Sequence, residues 1–233
     1  SDGVYPEGTT YLYYMIRNQL LFFAALQRRT GIDYFARTSL HQTIDFLAWS
    51  ALPWGGEFDN FSDGSFLVNA QDIPFLLQQQ APGAGDYLVW SHHRDALREH
   101  MNPYALAFGH RPEIAGFDPA KVFGRARLFA DSGIAAFRTG WGEDDMLLLA
   151  YATRYDPCAH SHCDRGQFNL YAWREKWAID SGYGNDGKAE NSATPSAAHN
   201  LVLIDGMGQG FHPELRQGTV EAEIADFLAS DPV

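Results

Sequence analysis

Residues 159–171 read AHSHCDRGQFNLY, and the prediction of the fold begins from this run. Two histidines two positions apart, His160 and His162, lead into an alternation of apolar and polar side chains from residue 167 onward. A period of two is typical of a β-strand, whose successive side chains point to opposite faces. We therefore predict a strand over residues 160–173 whose first two imidazoles share one face and can act together.

Two further strand-like runs each bring one more metal-ligating side chain. Residues 176–181 contain Asp180, and residues 199–205 begin with His199. Two neutral imidazoles and one carboxylate from neighbouring strands form a ligand set that suits Zn²⁺, with a water or a fourth group completing the coordination. The predicted ligands are His162, Asp180 and His199; the alternative is that the histidines are ordinary hydrogen-bonded residues near strand ends.

Three motifs in this part of the chain agree in order and spacing with a known family. HSHCDRGQFNLYA, AIDSGYG and SAAHNLVLIDG are similar to the C-terminal β-sandwich of the heparinase II/III-like polysaccharide lyases, which include the oligoalginate lyases. The resemblance is strong over residues 120–210 and looser over the N-terminal part. It implies an α+β multidomain fold, in which part of an α/α toroid of helical hairpins precedes an antiparallel β-sandwich.

The periodicity of the chain divides it into a helical half and a strand-like half. Helices are predicted over residues 11–29, 33–52, 72–80 and 85–99, with Asp33 as the N-cap of the second. Four helices joined by short turns fit either a toroid or a small bundle, and the resemblance favours the toroid. Proline-rich residues 103–119 are the predicted linker between toroid residues 1–102 and sandwich residues 120–233. Strand-like runs are predicted at 126–129, 134–139, 146–151, 160–173, 176–181, 199–205 and 218–225.

Composition narrows the classes of partner. The formal net charge of −12 disfavours binding to nucleic acid or to anionic lipid. No apolar run approaches the ~20 residues of a membrane span, and the first residues lack the pattern of a signal peptide.

We expect the chain to be the C-terminal portion of a longer, truncated polypeptide. A periplasmic or secreted location is implied only by the large anionic substrates of the family, and the oligomeric state is left open.

The resemblance implies a lyase that cuts uronate-containing polysaccharides by β-elimination. Such a site must neutralise the C6 carboxylate, remove the C5 proton and protonate the leaving O4. His160 resembles the family's general base or acid, and the tyrosines after Glu7 resemble its catalytic tyrosine segment. Tyr14 is preferred over Tyr11 as the catalytic tyrosine, and a tyrosine acts as a base only where positive charge lowers its pKa. By the same resemblance the zinc is structural.

Four residues are candidates for substrate binding: Arg138, Arg165, Trp54 and Glu7. Arg138 and Arg165 can each bind a carboxylate or sulfate in a bidentate manner. Each can instead pair with Asp164, and for Arg165 this pairing is the preferred interpretation. Trp54 lies in an aromatic loop. Its rings either stack on sugar or pack in the interior under the loop. Glu7 is the fourth residue assigned to the substrate.

Two other functions remain open at this point. One is a non-catalytic carbohydrate-binding module that uses the loop of residues 54–61. The other is a zinc hydrolase in which the metal keeps an open position for water. In addition, the family's carboxylate-neutralising asparagine or histidine lies upstream of the segment at which this chain begins. We therefore expect weak turnover or none from this polypeptide alone.

Overall fold

The structure is a computed structural model that describes part of the chain. The described residues are 2–66, 81–93, 116–153, 160, 162–183, 195–209, 211–212, 217–218 and 222–229. The predicted helix at 72–80 and most of the predicted linker at 103–119 lie outside them. No helix among these residues combines the length and the apolar character that crossing a membrane requires.

The first helix, α1 (Thr9–Thr30), confirms the prediction over residues 11–29. Leu12, Ile16 and Leu20 follow one another at intervals of four residues, so one apolar stripe of the helix is buried. Arg28 and Arg29 occupy the last turn, where positive charge is favourable. Gly31 then ends the helix in the left-handed conformation and donates its N–H to the carbonyl of Gln27 at 2.8 Å.

The second helix, α2 (Leu40–Ser50), begins seven residues later than predicted. The predicted N-cap, Asp33, is used in a local turn instead, where its Oδ1 accepts the N–H of Ala36 at 3.1 Å. Short acidic side chains often compete with helix formation in this way. The third described helix, α3 (Ala84–His93), packs against α2 and agrees with the start of the helix predicted at 85–99.

Five strands form one antiparallel sheet in the order of the chain. They are β1 (Ala126–Phe129), β2 (Ile134–Arg138), β3 (Leu147–Tyr151), β4 (Gln167–Ala172) and β5 (Glu175–Ala178). A separate short pair consists of β6 (Phe211–His212) and β7 (Gln217–Gly218).

The strand prediction is wrong at two places that matter for the site. The strand β4 begins at Gln167 and not at residue 160, because a turn in which Gln167 N–H bonds the carbonyl of Asp164 precedes it. Residues 199–205 are not a strand either, and His199 instead follows a 3₁₀ turn at Ser196–Ala198. Both histidine-bearing segments are therefore irregular backbone at one end of the sheet.

One face of the sheet packs against the helices in a common hydrophobic core. Phe46 of α2 contacts Phe129 of β1 edge to face, with ring centroids 5.2 Å apart, and Trp49 contacts Trp141 at 4.9 Å. In β4 the inward face is polar, because Gln167, Asn169 and Tyr171 are buried there. The sheet thus presents a buried polar strand beneath the loop that follows α2. A complete toroid and a second sandwich sheet stay predictions.

Candidate functional site

The candidate site lies where the start of α1, the loop of residues 58–66 and the irregular segments around β4 and β5 meet. Gly8 precedes α1 with φ +92°, and a Cβ there would lie 2.5 Å from the carbonyl oxygen of Phe61. Gly182 has φ +61°, and a Cβ there would lie 2.6 Å from the carbonyl oxygen of Gly64. Glycine at these two positions lets the three backbones approach one another closely.

His160 stacks on Tyr11 at this junction. The ring centroids are 4.1 Å apart and the ring planes differ by 27°. On its other side, His160 Nδ1 lies 2.5 Å from Oδ2 of Asp63, and Nε2 of His162 lies 2.9 Å from Oδ1 of the same carboxylate. One aspartate from the loop therefore bridges the two histidines with which the sequence prediction began.

A pocket of about 400 Å³ opens beside this cluster. Its lining residues are Thr10, Tyr11, Tyr14, Asp63, Ser65 and Tyr183. Tyr14 is 72% exposed at the pocket, whereas Tyr11 is partly buried and carries the contact to His160. The lining contains no lysine or arginine within the described part of the chain.

The electrostatic surroundings distinguish Tyr11 from a tyrosine base. Burial raises the pKa of Tyr11, and Tyr183, Asp63 and Glu7 raise it further. A tyrosine base requires the opposite shift, so these surroundings favour the protonated phenol. For Asp63, burial opposes ionisation, but hydrogen bonds from His162 and His160 outweigh burial and lower the pKa of the carboxyl.

The three predicted metal ligands lie close together, and His162 belongs both to this cluster and to the pair bridged by Asp63. His162, Asp180 and His199 are buried, and each offers a ligand atom within 4.8 Å of the others. Asp164 offers a fourth within the same distance. The rings of His162 and His199 have centroids 5.3 Å apart, and Nδ1 of His199 lies 3.2 Å from Oδ2 of Asp180.

The donor set fits a divalent cation such as zinc. Nδ1 of His162 is buried and has no hydrogen-bond partner within the described part of the chain. Burial raises the pKa of Asp164, and the neighbouring negative charge of Asp180 raises it further. Two buried carboxylates this close are mutually repulsive unless a cation lies between them. Sequence reasoning missed Asp164 because it was paired with Arg165, although its spacing of two from His162 was a usable signal.

Hydrogen bonds orient the two carboxylates. Nε2 of Gln167 donates to Oδ2 of Asp180 at 2.6 Å and to Oδ2 of Asp164 at 3.1 Å. Oδ1 of Asp180 accepts the N–H of Gly182 at 2.7 Å, and the carbonyl of Asp180 accepts Nδ2 of Asn60 at 2.6 Å. Such outer contacts fix the direction of metal ligands.

The predicted substrate role of Arg138 is corrected, because this side chain is only 4% exposed. Its Nη2 donates to the carbonyl of Trp49 at 3.1 Å and to that of Ala51 at the end of α2. The guanidinium also lies 4.2 Å from the centre of the Trp141 ring. Arg138 therefore joins α2 to the sheet rather than contacting a ligand.

Arg165 is likewise buried and does not line the pocket. Its Nη1 donates to the carbonyl of His162 and lies 3.6 Å from Oδ1 of Asp164. The alternative of pairing with Asp164 is the one that the structure supports, and the substrate-binding prediction is corrected.

Trp54 and Glu7 have different surroundings. Trp54 is partly buried, its Nε1 donates to Oε2 of Glu57 at 2.9 Å, and its ring packs edge to face on Tyr171 at 6.3 Å. These contacts favour the packing alternative for this loop, and sugar stacking by Trp54 stays a prediction. Glu7 lies close enough to Tyr11 to raise its pKa but is absent from the pocket lining.

The loop that carries Asp63 is anchored by Asp59, a fully buried residue that sequence reasoning missed. Oδ1 of Asp59 accepts the hydroxyl of Tyr171 at 2.5 Å and Nδ2 of Asn169 at 2.8 Å, and Oδ2 accepts the hydroxyl of Tyr151. Its carbonyl accepts the hydroxyl of Thr9 at 2.7 Å. The inward polar residues of β3 and β4 thus hold the loop against α1.

One protein-family model matches the strand-rich half of the chain. Residues 124–225 match the family model described as "Heparinase II/III-like, C-terminal". Among curated proteins, no sequence matches the chain significantly.

Solved structures of similar fold cover much more of the chain. A structure of heparinase III superposes with a TM-score of 0.61 and 14% identity over 90% of this chain and 33% of its own length. The heparan sulfate lyase HepC from Pedobacter heparinus gives a TM-score of 0.58 and 17% identity over 90% of this chain and 31% of its own. A third, the heparinase III-BT4657 gene product, gives 0.52 and 20% over 73% and 24%. The chain therefore spans a quarter to a third of the length of these structures, and at such identities they show the fold alone.

Proposed function

We propose that this chain, whose residues 124–225 form a heparinase II/III-like C-terminal domain, is the C-terminal portion of a polysaccharide lyase. The proposed reaction is β-elimination in a uronate-containing polysaccharide or oligosaccharide. The observation that carries the proposal is the stacking of His160 on Tyr11 at the edge of a pocket that also exposes Tyr14 and Tyr183. An aromatic pocket of this kind suits the C–H face of a sugar ring.

The proposed roles of the two stacked residues follow from their surroundings. His160 accepts the C5 proton through the ring nitrogen that does not face Asp63, since histidine is the side chain that most often acts as a general base. Tyr11 keeps its proton because burial and nearby negative groups raise its pKa, so it can donate that proton to O4. The C5–H and C4–O4 bonds break, the C4–C5 double bond forms, and the leaving oxygen departs as a hydroxyl.

The third task of the site, neutralising the substrate carboxylate, has no cationic residue in the described pocket lining. Arg138 and Arg165 do not supply it, because both are buried in structural contacts. We propose that a group outside this described lining performs the task.

A structural zinc ion held by His162, Asp164, Asp180 and His199 is part of the proposal. When bound, the ion would supply positive charge between the two carboxylates and tie together the segments that precede β4 and follow β5. Four protein ligands in a buried cluster favour a closed structural site over the open site of a zinc hydrolase. We further propose that the protein meets its polymeric substrate in the periplasm or outside the cell.

The direct test is the ultraviolet absorbance of the 4,5-unsaturated uronate that elimination leaves at the new non-reducing end. The chain, alone and joined to the toroid helices that the resemblance implies, is incubated with alginate, heparan sulfate, chondroitin sulfate and hyaluronan. We expect an absorbance rise on at least one polymer with the joined protein, and loss of that rise in His160→Ala. His41→Ala is the matched control, because His41 lies exposed on α2.

Three results would contradict this proposal. One is the absence of any absorbance rise on every polymer. Another is full activity in His160→Ala. The third is a product mass that includes an added water molecule, which would indicate hydrolysis instead of elimination.

A further inference from the structure

The bridge formed by Asp63 constrains both histidines at once. Its Oδ2 lies 2.5 Å from Nδ1 of His160, and its Oδ1 lies 2.9 Å from Nε2 of His162. An ionised carboxylate only accepts hydrogen bonds. Each histidine must therefore present an N–H on the nitrogen that faces Asp63, and these are different nitrogens in the two rings.

We propose that Asp63 is a positioning residue that sets opposite tautomers in the two histidines, Nδ1–H in His160 and Nε2–H in His162. This inference rests on the proposed lyase function for its catalytic consequence. In His160 the lone pair then lies on Nε2, the ring nitrogen that does not face Asp63. In His162 the lone pair lies on Nδ1, the buried atom without a hydrogen-bond partner in the described structure.

The opposite tautomers give different roles to two histidines that lie two positions apart in the sequence. The tautomer of His162 directs its lone pair to the metal cluster, because Nδ1 is the nitrogen left over after the bond to Asp63. The tautomer of His160 leaves a base stacked on Tyr11. The same logic applies where a buried aspartate holds the imidazole of a catalytic triad in its working tautomer.

The backbone around Asp63 holds its carboxylate in place. Ser62 adopts the left-handed conformation with φ +53°, which is uncommon for a residue with a side chain and is typical of functional sites. Gly64 donates its N–H to the carbonyl of Phe61 at 3.0 Å, and its own carbonyl accepts the N–H of Tyr183 at 3.0 Å. The loop is thus clamped on both sides of Asp63.

The position of Asp63 in the pocket lining also needs an explanation if the substrate is anionic. A carboxylate that faced a uronate would repel it. Because both oxygens of Asp63 accept hydrogen bonds from imidazoles, the carboxylate is directed at the histidines and away from the substrate.

The first test reads the tautomers directly in the wild-type chain. Nitrogen-15 NMR of the zinc-loaded, histidine-labelled protein distinguishes protonated from unprotonated ring nitrogens, and His160→Gln and His162→Gln assign the two signals. We expect the proton on Nδ1 in His160 and on Nε2 in His162. Finding His160 protonated on Nε2 alone would overturn the inference, and the readout is taken on the wild type, with the variants used only to assign its signals.

The second test is Asp63→Asn, in which the amide can accept a hydrogen bond from only one histidine. We expect loss of the assigned tautomer in at least one ring and a zinc affinity about 10–100-fold lower. By analogy with the triad aspartate, kcat should fall by about 10²–10⁴-fold with little change in KM. Asp45→Asn is the matched control, because Asp45 is a partly buried aspartate that pairs with Arg127 at 2.9 Å instead.

The two proposals fail in distinguishable ways. If the wild-type protein joined to the toroid helices performs no elimination but shows the expected tautomers, the lyase function fails and the positioning by Asp63 stands. If the wild type is active and Asp63→Asn keeps both tautomers, the positioning role is wrong whatever happens to kcat.

Discussion

His160 and Tyr11 lie ring against ring, with their centroids 4.1 Å apart, although one precedes β4 and the other lies in the first turn of α1. A sugar that rests on one of these side chains is therefore within reach of the other. The contact also distinguishes Tyr11 from Tyr14, which the sequence had favoured and which is 72% exposed without a ring contact to His160 among the described residues.

The first prediction concerns these two tyrosines. In the active protein, Tyr11→Phe should lower kcat by about 10²–10⁴-fold, because it removes the proton donor, whereas Tyr14→Phe should have a much smaller effect. Initial rates of absorbance increase measure both. Tyr34→Phe is the matched control, since Tyr34 stacks on Phe23 away from the pocket. A larger loss in Tyr14→Phe than in Tyr11→Phe would return the catalytic role to Tyr14.

The second prediction concerns the metal. Protein purified after growth with zinc should carry one zinc ion per chain by atomic emission, and His199→Ala or Asp180→Asn should lose it. Chelation of the wild type should lower the free energy of unfolding by about 3 kcal/mol where free zinc stands ~100-fold above Kd. His41→Ala should retain its zinc. A wild type that binds no zinc, or binds it equally well without His199, contradicts the assignment.

The third prediction separates the structural role of Arg138 from a role in substrate binding. Arg138→Met should lower the free energy of unfolding by roughly 1.5–3 kcal/mol, because it leaves the carbonyls of Trp49 and Ala51 without their charged donor. Denaturant titration measures this loss. A variant with unchanged stability and a raised KM would instead support the original assignment to substrate.

The fourth prediction concerns Asp59, whose carboxylate holds the loop beneath the site. Asp59→Ala should cost roughly 2–4 kcal/mol of unfolding free energy, since the amide of Asn169 and the hydroxyls of Tyr151 and Tyr171 lose a shared buried acceptor. Asp33→Ala is the control, because Asp33 accepts only a local hydrogen bond near the surface. Equal losses in the two variants would contradict the anchoring role.

Asp59 also predicts a pH dependence of stability. Burial raises the pKa of Asp59 above its unfolded value, although the tyrosine hydroxyls and Asn169 oppose the shift. The folded chain therefore holds this proton at pH values where the unfolded chain has released it. Its contribution to stability is largest below the unfolded pKa of about 3.9 and is lost as the pH rises through the folded pKa. Comparing Asp59→Asn with the wild type across this window should show the slope only in the wild type.

Much of the local structure was predictable because it depends on neighbours in the chain. The apolar repeat of α1, its basic last turn and Gly31 lie within one segment, so the helix could be placed closely. Strands β1, β2 and β3 were recognisable in the same way, from alternating side chains between turn residues. The sequence proposed His162, Asp180 and His199 as metal ligands from their residue types, and the fold brings their side chains together, but metal binding itself stays a prediction.

The turn before β4 shows why pattern reading failed beside the site. Gly166 adopts φ +90° and Gln167 bonds back to Asp164, so the alternation of the strand does not extend to the histidines. The same interruption explains why Gln167, Asn169 and Tyr171 point into the core while Phe168 remains exposed. A period of two cannot say which of its two faces will be covered.

The residues alone predicted the local elements, the candidate set of metal ligands and the family resemblance, because each depends on side-chain type and short-range spacing. Only the folded chain shows the long-range pairings. Asp63 lies between two histidines, Tyr11 and not Tyr14 stacks on His160, and Arg138 is buried against the end of α2. These pairings are set by which backbone segments approach one another across the core. No local pattern encodes that approach, since it arises from the packing of the whole chain.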